Sequence, residues 1–263
     1  MLYIRFFKII CLVLAVASCA ARTTSGNYLG KYQEAVSRYE AKDYYEALRL
    51  FKEVMPMLKG KKEIILAQFY QAYAFFYQKS YKVSARCFEE FYKTYPRVAQ
   101  AEEALYMQGY ALYLSTPDVR LDQTQTEKAY KVVKSYKDKY PGGTYQKQVD
   151  EYSRILRAKL ALKAFKSAEL YYQLGHYQAA VLELERFQEE YGDSSYNEQA
   201  LYLKINAQYR LAEESDPKEQ LDKLLVVITF YHEFLDKYPT NKYAKELEKV
   251  YNIVLEKINK FVR

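Results

Sequence analysis

Tryptophan is absent from the 263 residues, and glycine (8), proline (6), cysteine (3) and histidine (2) are all scarce. Few glycines and prolines mean few sharp breaks, which favours long helices joined by short turns over a sheet protein with many reversals. His176 falls in an interhelical turn and His232 in the last stripe helix, with no cysteine near either, so no metal site is expected. A Gly-rich phosphate loop and a Gly-x-Ser-x-Gly elbow are both missing, so neither a cofactor nor a catalytic group is expected. Cys11 and Cys19 fall in an N-terminal stretch of secretory layout, and only Cys87 belongs to the body of the chain. An intramolecular disulfide is thereby excluded, and stability must come from packing. Cys87 lies beside Phe88 and reads as a small buried hydrophobe. The apolar run at 9–17 follows Arg5 and Lys8 and is too short to cross a bilayer as a permanent helix.

What the chain does contain is tyrosine, 31 times, with mixed charge that sums to +7. In stacked helices a tyrosine fills a hole with its ring while its hydroxyl reaches water, so most of these are packing residues. Removing Arg5 and Lys8 with a leader leaves a charge near +5, spread over many Lys/Glu pairs. That is a solvated surface with no implication of nucleic acid.

One stretch, YKVSARCFEEFYKTYP at 81–96, serves as a ruler. From Ser84 as origin, Phe88, Phe91 and Tyr95 fall at plus four, seven and eleven, the inner stripe of a helix, and Pro96 ends it. The stripe recurs from Ala47, Ala129, Ala180 and Val227, at intervals of 37, 45, 51 and 47 residues. Each copy follows another helical segment. The pairs are 28–41 with 44–57, 62–78 with 81–95, 98–114 with 126–140, 144–174 with 177–191, and 194–214 with 218–238. An amphipathic helix at 241–261 would seal the last pair. No strand-like alternation is sustained. The expected fold is therefore all-α, an α-solenoid of about five tetratricopeptide-like helix pairs with a C-terminal capping helix. The spacings exceed the ideal tetratricopeptide period of about 34, and HEAT-type pairs are the competing solenoid. The Tyr-x-x-Ala or Tyr-x-x-Ser openings at Tyr44, Tyr81 and Tyr177 and the Tyr-Pro endings favour tetratricopeptides.

The leader ends in Val16-Ala17-Ser18-Cys19, which resembles the lipobox of bacterial lipoproteins. That resemblance implies cleavage before Cys19, acylation of its thiol, and a short tether behind it. Ala20 stands where an aspartate could retain such a protein at the inner membrane, so outer-membrane sorting is expected. The chain then divides into a signal peptide (1–18), a lipidated tether (19–27), N-terminal repeats one to three (28–141), and C-terminal repeats four and five with the capping helix (142–263).

The ruler breaks at the loop STPDVRLDQTQ, 115–125. Asp118 and Asp122 flank Arg120, and a catalytic carboxylate pair is weighed there against a structured loop in which Arg120 pairs with those aspartates. A protein-binding element is the third reading, since long loops in repeat proteins project from one face. The run Arg120-Leu121-Asp122-Gln123, then Ala129 and the ending Lys139-Tyr140-Pro141, resembles the BamD family, lipoproteins of the outer-membrane β-barrel assembly machine. Ala168-Glu169-Leu170-Tyr171-Tyr172 running into Gly175-His176-Tyr177-Gln178-Ala179-Ala180-Val181 is similar as well. The likeness covers 28–261, with its specific motifs between 115 and 181. Departures are the extra C-terminal helix, the long 144–174 segment, and Gly192 where other repeats have proline.

The resemblance implies a scaffold without catalytic turnover, lipid-anchored in the outer membrane and facing the periplasm. Its partners would be the barrel insertase and its accessory subunits, held by the C-terminal repeats, and unfolded outer-membrane protein segments, received by the N-terminal ones. Arg120 and Asp122 in the loop and Tyr73, Tyr77 and Tyr110 on a tyrosine-rich face, with Tyr70, Tyr106 and Tyr113 beside them, are the expected partner-binding residues. A periplasmic repeat lipoprotein that scaffolds a peptidoglycan or secretion complex stays open as the alternative.

Overall fold

The computed structural model describes residues 27–261, and the proposed signal peptide, Cys19 and nearly all of the tether lie outside them. Among the described residues there are eleven α-helices, one 3-10 helix and no strand. The helices are α1 (Asn27–Glu40), α2 (Tyr44–Val54), α3 (Glu63–Tyr77), α4 (Tyr81–Thr94), α5 (Ala101–Leu114), α6 (Thr124–Lys139), α7 (Gln146–Gln173), α8 (Tyr177–Glu190), α9 (Asn197–Glu213), α10 (Pro217–Lys237) and α11 (Ala244–Phe261). The expected five pairs and final helix are all present, and the fold is all-α of tetratricopeptide-like type.

The stripes are the core. Ala47, Ser84, Ala129, Ala180 and Val227 are each fully buried, as are Phe51, Phe88, Leu184 and Phe234 four or seven residues further on. A small residue at the origin lets two helices approach, and Ser84 adds a bond across that approach: its Oγ donates to the Ala72 carbonyl at 2.9 Å. Asp43 caps α2, accepting from the Glu46 N–H at 3.3 Å.

Three within-pair turns share one geometry. After α1, α3 and α7, the residue in the left-handed region is Lys42 (φ 62°), Lys79 (φ 59°) or Gly175 (φ 79°). In each, that residue's N–H donates three residues back, and the next N–H donates five back, as Asp43 does to Arg38 and Ser80 to Phe75. This is the Schellman closure of a helix end, in which glycine is the usual occupant.

Several boundaries differ from the sequence reading. α2 stops at Val54, and Met55–Leu58 continue as a 3-10 turn, since Pro56 has no N–H to extend an α-helix. α5 and α9 start three residues later than expected, because the residues after Tyr95 and Tyr191 form turns closed by Ala101 N–H to Val98 O and Asn197 N–H to Ser194 O. α6 starts two residues earlier, at Thr124, which shortens the preceding loop.

By backbone proximity the chain forms two compact units. One comprises the described residues through Thr116 together with Thr124–Ser153; the other comprises Pro117–Gln123 and the described residues from Arg154 onward. The division falls within α7. In the first unit, Phe69, Ala72, Phe88, Phe91, Ala104 and Met107 make a core between α3, α4 and α5. In the second, α11 lays Leu247 and Val254 against Leu201, Leu224, Val227, Tyr231 and Phe234 of the last pair, covering its apolar face.

Candidate functional site

The first unit carries a continuous surface of tyrosine rings. Tyr70, Tyr73 and Tyr77 on α3, and Tyr106, Tyr110 and Tyr113 on α5, are spaced three and four apart, which sets each trio on one helix face. Tyr39 stacks on Tyr70 and Tyr44 on Tyr77, each with ring centroids 4.8 Å apart. Tyr73 stacks beside Tyr77 at 5.9 Å, and Phe76 bridges to Tyr110 at 5.6 Å. Tyr110 and Tyr113 then stack on Tyr152 at 5.0 and 4.8 Å, and Tyr106 on Tyr145 at 4.2 Å. Stacked and edge-on pairs of this kind are worth about 0.5–1.5 kcal/mol beyond the area they bury.

Of the tyrosines expected from sequence, Tyr77 is the most open, with 49% of its surface exposed. Tyr73 is half-buried, edge-on to Phe69 and Phe88, and its hydroxyl donates to Glu103. Burial, and then that hydrogen bond, push the Tyr73 phenol well above its ordinary range. Tyr110 is half-buried between Phe76 and Tyr152. The sequence reading did not include Tyr39, Tyr145, Tyr152 or Glu103 on this face. The i, i+7 spacing of Tyr145, just before α7, and Tyr152 within it is the available signal.

Glu102, next to Glu103, faces a different neighbour. It accepts from the Tyr136 hydroxyl and from the Thr144 N–H, both at 2.6 Å, while Tyr145 N–H donates to the Tyr136 oxygen at 3.0 Å. This ties the turn before α7 to α5 and α6.

Arg120 and Asp122 belong to the second unit. There Asp118 accepts from both the backbone N–H and the Nε of Arg120, at 3.0 and 2.9 Å, and these bonds hold its carboxyl below the usual carboxylate range. The buried Gln123 amide donates to the carbonyls of Asp118 and Leu121, and Lys163 Nζ donates to the Arg120 carbonyl at 3.1 Å. The turn is thus fixed from inside. It leaves the Arg120 side chain 87% exposed and Leu121 59% exposed. Asp122 is exposed beside them. The second unit also holds a cavity of about 320 Å3 lined by Arg154, Arg157, Tyr191, Asp193 and Tyr196 among others, in which Arg157 pairs with Asp193 at 2.8 Å.

Cys87 is half-buried with a free thiol, and burial pushes it up to about 11. His176 caps the start of α8 by position and is exposed. Among the described residues no group of three or more His, Cys, Asp or Glu side chains could hold a metal ion, and no helix is long and apolar enough to cross a membrane.

Helix pairs with small residues at their crossings and an aromatic face on one unit define a helical-repeat protein of the tetratricopeptide type. A family model, YfiO, described as an outer membrane lipoprotein, matches residues 29–224. The chain belongs to this family of outer membrane lipoproteins. The match ends within α10 and leaves α11 outside it. No curated protein matches the chain.

Proposed function

We propose that this protein is a BamD-like, non-catalytic scaffold of the outer-membrane β-barrel assembly machine, anchored through an acylated Cys19 and facing the periplasm. It holds the barrel insertase and receives unfolded barrel precursors. Family membership supports the outer-membrane setting. The observation that carries the binding role is the tyrosine face of the first unit, stacked half-buried rings with Tyr77 open at the surface, which suits an extended apolar-aromatic segment. Tyr73, Tyr77 and Tyr110 are the proposed contacts there.

The rigid turn in the second unit presents Arg120 and Leu121 outward, with Asp122 beside them, as a preformed contact for the insertase. Preorganisation lowers the ordering cost of binding. The test is affinity purification from detergent-solubilised outer membranes. Wild type should recover a large barrel protein with periplasmic repeat domains, and Arg120→Ala with Asp122→Ala should reduce that recovery at least tenfold. Equal recovery by the double variant removes the turn from the interface, and recovery of peptidoglycan fragments in place of a barrel protein contradicts the assembly role.

A further inference from the structure

Charge is distributed unevenly over the tyrosine face. α3 (EIILAQFYQAYAFFY) and α5 (AEEALYMQGYALYL) hold three glutamates and no lysine or arginine, in a chain with 40 basic residues. Glu102 is engaged by Tyr136 and Thr144. Glu103, half-buried one turn before Tyr106, accepts only the Tyr73 hydroxyl and forms no ion pair among the described residues. Rings surround it in sequence and in space: Tyr73 stacks beside Tyr77, Tyr77 on Tyr44, and Tyr106 on Tyr145. After burial, which is the first cause in each case, the charge of Glu103 contributes to raising the phenols of Tyr39, Tyr73, Tyr77 and Tyr145. One carboxylate thus acts on tyrosines drawn from α1, α3 and the turn before α7.

A carboxylate has room for about four hydrogen bonds, and a single phenol leaves most of that capacity open. Tyrosine ring faces are electron-rich and attract cations, so the ring surface and the carboxylate favour the same sign of ligand. An acidic or phosphorylated segment would be repelled. Between the two basic side chains, arginine fits better, since a planar guanidinium can fork onto a carboxylate and stack on a ring.

We infer that the tyrosine face selects extended segments carrying a basic residue, arginine first, whose cation docks on Glu103 while flanking aromatic or apolar residues lie along the stacked tyrosines. This rests on the reading that the face receives unfolded polypeptide. The probe is a fluorescein-labelled peptide of alternating phenylalanine and threonine with one central arginine, and its citrulline twin, titrated against the full chain in detergent. The arginine peptide should bind about tenfold tighter, and the difference should shrink with added salt. Glu103→Gln can still accept from Tyr73, so it should fold with an unchanged melting curve, lose the tenfold preference, and retain the weaker binding of both peptides. Tyr77→Ala, at an open position, should weaken both peptides alike. Equal binding of the two peptides by wild type, or an arginine preference that survives Glu103→Gln, overturns the inference and leaves the binding face intact. Failure to bind either peptide overturns the inference together with the reading beneath it.

Discussion

At the scale of single residues, burial decides what a functional group does. Cys87 sits in a helical stripe, as its place beside Phe88 suggests, and burial drives its thiol up to about 11. Against an ordinary value near 9.0, that is about a hundredfold less thiolate near neutral pH. Alkylation of Cys87 at pH 8, read by mass spectrometry, should be about a hundredfold slower in the folded chain than in urea. The linkage has a definite sign. The folded state holds this proton more tightly, so its stabilising contribution is full below pH 9 and is lost as the pH rises toward 11. Ser84 shows the same dependence on surroundings: sequence marks it as a small residue at a crossing, while its hydroxyl bond to Ala72 exists only because α3 lies opposite.

At the scale of elements, turn chemistry sets the local cost. Lys42 and Lys79 occupy the left-handed position that Gly175 fills in the third of the matching turns. A side chain there costs roughly 1 kcal/mol or more. Lys79→Gly should therefore raise stability by about 0.5–1 kcal/mol, and Gly175→Ala should lower it by a similar amount, both read from urea unfolding. The turn before α7 is a harder constraint. A Cβ at Gly143 would lie 2.5 Å from Glu102 Oε1 and 2.6 Å from the Tyr136 hydroxyl. Gly143→Ala should thus break the Glu102 network and cost about 2–3 kcal/mol, whereas Gly30→Ala, with nothing near its Cβ inside α1, should gain about 0.5–1 kcal/mol. A melt in which both alanines behave alike would contradict this account. Helix existence was legible here because 3.6-residue periodicity is written locally. Boundaries moved by two or three residues where closing bonds such as Ala101 N–H to Val98 O, or a proline in a 3-10 turn, took over.

At the scale of the whole molecule, the proposed anchor and the repeat body would divide the work. Multiple acyl chains on Cys19 would hold the protein stably, at about 0.8 kcal/mol per buried CH2. Cys19→Ala should release the chain from membranes in a fractionation assay, and unchanged membrane association would contradict the anchor. The two compact units also separate the proposed contacts: Tyr73, Tyr77 and Tyr110 lie in the first, Arg120 and Asp122 in the second. Linear spacing did not reveal that the 115–125 loop belongs largely with the later helices, since its ties to Lys163 span 43 residues. By itself the sequence determined the all-α class, the five pairs, the capping helix and the identity of the buried stripes, because hydrophobic period, proline and small residues at crossings act over a few residues. Tertiary structure alone decided which tyrosines meet and what two adjacent glutamates do. Glu102 closes a turn and Glu103 faces a field of rings, a difference set by the helices that cross in front of each, which no local pattern encodes.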